Sequence, residues 1–247
     1  MLMPVGDDNS DRSLKPMINY LLIALNIFVF VFLQGLGSNE KFTYSFSTVP
    51  EEIVTGEDIV TDDQMYEDPL TGDRFRVSGL QPTPISVYIT LLTSMFMHGG
   101  FAHIFGNMLF LLIFGDNIEN RLGHLRYLIF YLLVGIIASL THVFVSVSVG
   151  SSTLIPSLGA SGAISGVLGG YLLLFPKRRV RVIMFYQMME VPAILAIGIW
   201  FAFQLISGIG ILGDSQGGGV AYGAHIGGFI AGLFLIKFFA ASKGKSY

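Results

Sequence analysis

Six apolar stretches, at 17–33, 101–114, 127–149, 161–175, 192–212 and 221–241, constrain this chain more than any other feature. In lipid, a segment can satisfy its backbone polar groups only within itself or in a closed barrel, so apolar runs of this length fold as helices. Composition agrees: 52% of the residues are apolar, 13% are charged and the mean hydropathy is +0.66, values that belong with integral membrane proteins. The expected fold class is an all-α membrane protein, a bundle of six transmembrane helices in a single domain spanning 1–247. The fourth stretch is short, about 15 residues or roughly 22 Å of helix against a hydrocarbon core of roughly 30 Å, so its first residue should be recessed. Without cysteine the chain has no disulfide framework, thiolate nucleophile or Cys-ligated metal.

The opening residues MLMPVGDDNSDRSLKP carry acids and lack the basic start and small-residue cleavage site of a secretory signal, so the first stretch reads as a retained span. Arg12 and Lys15 precede span one, Arg121 and Arg126 follow span two, Lys177, Arg178, Arg179 and Arg181 follow span four, and Lys237, Lys243 and Lys245 close the chain. By the positive-inside rule both termini and these loops face the cytoplasm. The insert at 35–84 then lies on the outer side. Its acids, among them Glu51, Glu52, Glu57, Asp58, Asp62, Asp63, Glu67, Asp68 and Asp73, read as a solvated loop containing the hairpin-like DPLTGDRFRV.

In that topology spans two, four and six all begin at the outer side, and their first turns hold the polar residues. HGGFAHIFGN puts His103 and Asn107 four apart, on one helical face. Ser161 opens span four within LIPSLGASGAISGVLGG, and His225 lies one turn into span six, in AYGAHIGG. Polar groups at membrane depth face the bundle interior or a wet cavity and mark function by default. A serine with a histidine base is the apparatus of nucleophilic acyl transfer, and the amides at a helix start favour developing negative charge. Gly162 and Gly166, with Gly228 and Gly232, form small-xxx-small patterns that let two helices approach closely enough for short side chains to meet. A serine between glycines also serves as a packing residue, and a lone histidine near a helix end as an interfacial one, so the chemical reading rests on all four polar positions together.

The blocks TSMFMHGGFAHIFGNMLFL, GASGAISGVLGGYLLLFP and AHIGGFIAG resemble those of the rhomboid intramembrane serine proteases, over about Leu92 to Ala241. The resemblance implies a compact rhomboid-like bundle of the prokaryotic type that cleaves transmembrane segments of membrane-protein substrates at small or helix-destabilising residues. It implies Ser161 as nucleophile and His225 as its partner in a dyad. His103 and Asn107 would join the Ser161 amide in holding the oxyanion, and Trp200 and Phe201, in WFAFQ, would belong to the substrate gate. No metal, organic cofactor or nucleic acid is implied; the partners are transmembrane substrates and the bilayer. The chain departs from many members in having Ile89 and Thr90 where they carry a Trp-Arg pair. It also has Ser165 where some place an aromatic against the catalytic imidazole. A rhomboid-like protein that binds transmembrane clients without cleaving them is the alternative.

The remaining polar residues read as structural. His98 is expected to make a hydrogen bond beneath the outer loop, His124 and His142 to sit at span ends, Asp116 and Glu119 to form surface pairs beside Arg121, and Glu190 to cap span five. A zinc site on His98, His103 and His225 lacks the H-E-x-x-H pattern and an acid within a span. A transporter would be expected to show an internal repeat, a buried carboxylate or a broken helix pair, and the sequence reads as having none of them.

Overall fold

The structure is a computed structural model describing residues 3–67, 72, 74–150, 153–184, 186–213 and 221–240, with 66, 75 and 209–213 described by backbone alone. Among these residues six apolar helices form the body. They are α1 (Met17–Leu33, its last turn a π-helix), α2 (Phe101–Leu122, with a π-helical turn at Leu111–Gly115), α3 (His124–Val149), α4 (Ser161–Leu174), α5 (Ala193–Gly213) and α6 (Tyr222–Ala240). Three of them, α2, α3 and α6, are long and apolar enough to cross a membrane on their own; α1, α4 and the Ala193–Gly208 part of α5 are shorter, as is a further apolar helix at Val87–Phe96.

Helix α4 is the axis of the packing. Every residue from Gly162 to Tyr171 is buried, because α3 and α6 close on either side of it. Glycine makes this closeness possible: a Cβ on Gly228 or Gly232 would overlap the carbonyl oxygen of Gly162 or Gly166, and a Cβ on Gly162 would come within 2.8 Å of Ala138 on α3. The contacts of Gly228 and Gly232 with α4 are backbone to backbone. Around them lie Tyr127, Phe130, Tyr131, Val134, Val167, Leu168, Phe229 and Ile236, all nearly inaccessible. The apolar side chains left exposed, such as Phe105, Phe144, Phe203, Phe234 and Phe238, are spread over the outward faces of the helices, as lipid contact requires.

Hydropathy did not anticipate the strands. β1 (Met3–Asp7) pairs antiparallel with β4 (Arg179–Met184), which pairs antiparallel with β5 (Gln187–Pro192), in the order β1-β4-β5. Glu190 therefore sits opposite Arg181 in the sheet and does not cap α5. The hairpin expected in the insert does form, with β2 (Gln64–Glu67) and β3 (Arg74–Val77) in the register Gln64↔Val77 to Glu67↔Arg74. Asp68 and Asp73, like Lys243 and Lys245, lie outside the described residues.

Asp116 and Glu119 are buried and structural, contrary to their reading as surface pairs. Glu119 accepts hydrogen bonds from the backbone N–H of Ile18 (2.9 Å) and Asn19 (2.7 Å), capping the start of α1 from a residue about 100 positions away, and it also pairs with His124 at the start of α3. Asp116 pairs with Arg12 at 2.6 Å. At the same end of the bundle Asp7 accepts from the Tyr171 hydroxyl (2.6 Å) and from Asn117 (2.7 Å), so β1 is tied to the last turn of α4.

Candidate active site

Ser161 stands at the first position of α4, and what precedes it explains its setting. Gly159 adopts φ +124°, a left-handed backbone that favours glycine, and a Cβ there would lie 2.8 Å from the His103 ring. The Gly159 N–H donates to the Ser94 carbonyl at 2.8 Å. The segment before α4 is bonded both ways to the insert, Thr48 N–H to Ser157 O at 3.0 Å and Ser157 N–H to Thr48 O at 2.7 Å. The helix start is held by backbone and is uncapped by any side chain, so its first amides keep their donor capacity.

His225, on the first turn of α6, reaches Ser161 directly: Nε2 lies 2.7 Å from the Ser161 Oγ. The glycine-mediated approach of α4 and α6 makes that distance possible, since two short side chains on helices at ordinary spacing would not meet. His225 Nδ1 lies 2.8 Å from Oε1 of Gln204, a buried residue of α5. Trp200, one turn earlier on α5, has its ring centroid 6.1 Å from that of His225, and Tyr222 meets the same imidazole edge-on at 6.2 Å. Phe201 stacks on Phe229 of α6 at 4.0 Å and 16°.

His103 and Asn107 lie on the first turns of α2. The His103 ring packs against Gly159, and its Nδ1 accepts from the Gly99 N–H at 3.3 Å. Asn107 is buried, and its side-chain Nδ2 has no hydrogen-bond partner among the described residues. A buried amide donor without a partner costs about 1–3 kcal/mol, a cost expected where the missing partner is a ligand. A small cavity adjoins Ser161, with Ser94, Ser139 and Ser157 among its lining residues.

Several structural expectations need correction here. Among the described residues the His98 ring makes no hydrogen bond, both its nitrogens being buried without a partner there; burial pushes its pKa down to about 3. It is the backbone of His98 that is fixed, its N–H donating to Gln34 Oε1 at 3.0 Å and its carbonyl accepting from Gln34 Nε2 at 2.9 Å. His142 lies within α3 and not at its end. Ser165 turns away from the imidazole and donates to the Ser161 carbonyl at 2.6 Å. Gln204 has no assigned part in the sequence pattern. The available signal was an amide four residues after Trp200, hence on the same face of an otherwise apolar helix.

Residues 86–242 of the chain match the rhomboid domain family. The chain belongs to the rhomboid family. Among its relatives, Rhomboid protein 1, mitochondrial, of Saccharomyces cerevisiae is 32% identical over 155 residues, covering 62% of this chain and 42% of the relative. Rhomboid protease GluP of Bacillus subtilis is 30% identical over 237 residues, covering 94% and 37%. Presenilin-associated rhomboid-like protein, mitochondrial, of Homo sapiens is 30% identical over 174 residues, covering 66% and 44%. This rhomboid thus spans about two-fifths of the length of these relatives. Family and apolar helices together make it an integral membrane protein of a protease family.

Where many rhomboids carry Trp-Arg, this one has an exposed Ile89 and a buried Thr90. The neighbouring segment is held instead by Thr48, whose hydroxyl lies 2.9 Å from both the Thr90 carbonyl and the Ser94 hydroxyl, and by the Gln34 bonds to His98.

Proposed function

We propose that this rhomboid is an intramembrane serine endopeptidase that cleaves transmembrane segments of membrane-protein substrates through a Ser161–His225 dyad. The observation that carries the reading is the 2.7 Å separation of Ser161 Oγ and His225 Nε2 across two helices, beside a small cavity. A hydroxyl paired with an imidazole in this way, at the start of a helix, is arranged for nucleophilic attack on a carbonyl.

The steps follow from the atoms present. His225 Nε2 takes the Ser161 proton as Oγ bonds to the carbonyl carbon of the scissile peptide. The tetrahedral oxyanion is held by the Ser161 N–H, by the partnerless Asn107 Nδ2 and by His103. His225 returns the proton to the leaving nitrogen, the C–N bond breaks, and an acyl-enzyme remains. Water then adds to the ester carbonyl, His225 accepting its proton and passing it to Ser161 as the ester breaks.

Substrate reaches the dyad between α5 and its neighbours, with Trp200 and Phe201 forming the gate against Phe229. The lysine and arginine distribution supports six spans with both termini in the cytoplasm and the pocket opening to the outer side. The rhomboid domain and the insert at 35–84 act as one unit, since the insert is bonded to the segment leading into Ser161.

The test is labelling of the purified full chain with a fluorophosphonate probe and cleavage of a model transmembrane substrate by wild type, Ser161→Ala and His225→Ala. Wild type is expected to label and cleave, and both variants to lose cleavage. Cleavage that survives either substitution overturns the dyad, and a wild type that captures the substrate uncut favours the client-binding alternative.

A further inference from the structure

We propose that Gln204 is the positioning residue of the dyad, fixing the His225 tautomer that leaves Nε2 free to accept the Ser161 proton. The inference rests on the dyad reading above and extends it to a residue on a third helix.

The dyad by itself does not determine which ring nitrogen of His225 carries the proton. A neutral imidazole has one N–H and one lone pair, and only the form protonated at Nδ1 presents a base to Ser161. Nδ1 lies 2.8 Å from Gln204 Oε1, an atom that accepts and does not donate, so the bond exists only with the proton on Nδ1. With its amide turned over, Gln204 would donate to Nδ1 and drive the proton to Nε2, pointing it at the Ser161 oxygen and disabling the base.

Other candidates for this task are engaged elsewhere. Ser165, one turn after the nucleophile, spends its proton on the Ser161 carbonyl. Trp200 and Tyr222 contact the imidazole through ring faces and edges at 6.1 and 6.2 Å, which limits its tilt without selecting a tautomer. The titratable groups around His225 include Tyr222, His103 and His142, and both ring nitrogens of His225 are engaged by uncharged groups, Ser161 and Gln204. Gln204 is 7% exposed on a helix whose surroundings are apolar, and a buried amide there is stabilised by this bond. Being neutral, it orients the ring without offering a counter-charge to the imidazolium, unlike the carboxylate of a full triad.

The experiment compares wild type, Gln204→Leu, Gln204→Glu and Ser161→Ala as full-length protein in detergent. It reads the fluorophosphonate labelling rate, kcat and KM against pH, and the ¹⁵N shifts of His225, assigned by their loss in His225→Ala. Wild type and Ser161→Ala should carry the proton on Nδ1, and Gln204→Leu should lose that preference. Gln204→Leu should also lower labelling and kcat by about 10- to 100-fold, with KM changed by no more than about 2-fold. Gln204→Glu should restore kcat to within about 3-fold of wild type and move the acid limb of the profile to higher pH, because its carboxylate stabilises the imidazolium. A wild-type His225 protonated on Nε2, or a Gln204→Leu protein with an unchanged tautomer and unchanged kcat, overturns the role of Gln204. An Nδ1-protonated His225 in a protein that neither labels nor cleaves would sustain the positioning role and overturn the dyad reading alone.

Discussion

Gly232 of α6 lies against the backbone carbonyl of Gly166 on α4, with no room for even a methyl group between them. Gly228 and Gly162 repeat the contact one turn nearer the site, and the Ser161–His225 hydrogen bond follows from it. Replacing Gly232 with alanine forces the helices apart by backbone displacement, because no side chain is present to yield. Gly232→Ala should cost about 1–3 kcal/mol of stability and reduce fluorophosphonate labelling by more than about 10-fold. Thermal unfolding in detergent and labelling rates would check this; wild-type values for both would show that the contact is slack.

The buried Nδ2 of Asn107 has no hydrogen-bond partner among the described residues. An oxyanion donor is used chiefly in the transition state, so its loss should appear in turnover and leave substrate capture almost untouched. Asn107→Ala should lower kcat by roughly 100-fold, with KM within about 3-fold of wild type. A rise in KM at unchanged kcat would instead make Asn107 a substrate-binding group.

Much of this architecture was legible in the sequence. The apolar runs located α1 to α6 to within a few residues at most ends, because lipid permits few other folds for such segments. Ser161, His225, His103 and Asn107 stood out as polar residues on apolar helices, and the structure brings Ser161 to His225 and sets His103 and Asn107 on the neighbouring α2. The sheet was not legible: β1 is five residues long and its partner β4 lies more than 170 residues away, beyond the reach of local periodicity. The same separation hid Glu119, whose acid character suggested a surface while its partners, the amides of Ile18 and Asn19, leave no mark on the sequence near it.

Glu119 is fully buried and caps α1 with both carboxylate oxygens. Glu119→Ala strands two amide donors and leaves a cavity, and should destabilise the protein by about 2–4 kcal/mol. Glu119→Gln keeps one acceptor and should recover part of that loss. Detergent-denaturation midpoints of the two variants give the comparison, and equal midpoints for Glu119→Ala and wild type would mean that α1 is anchored elsewhere.

Asp7 makes the docking of β1 sensitive to pH. Burial, followed by the nearby Asp116, pushes its carboxyl up from 3.8 to about 7, against the lowering effects of the Tyr171 and Asn117 hydrogen bonds and of Arg178. A raised carboxyl pKa means that the docked strand binds the proton more tightly than the released one. The resulting stabilisation is complete below the ordinary value of 3.8 and is lost as pH rises through about 7. Amide hydrogen exchange in residues 3–8 should therefore accelerate, beyond its intrinsic pH dependence, between about pH 5 and about pH 8. Asp7→Asn keeps an acceptor for Tyr171 and Asn117 and removes the ionisation, so its excess acceleration should vanish. If the variant and wild type opened in parallel across that range, the strand would be held by β4 pairing alone and the buried carboxyl would not control it.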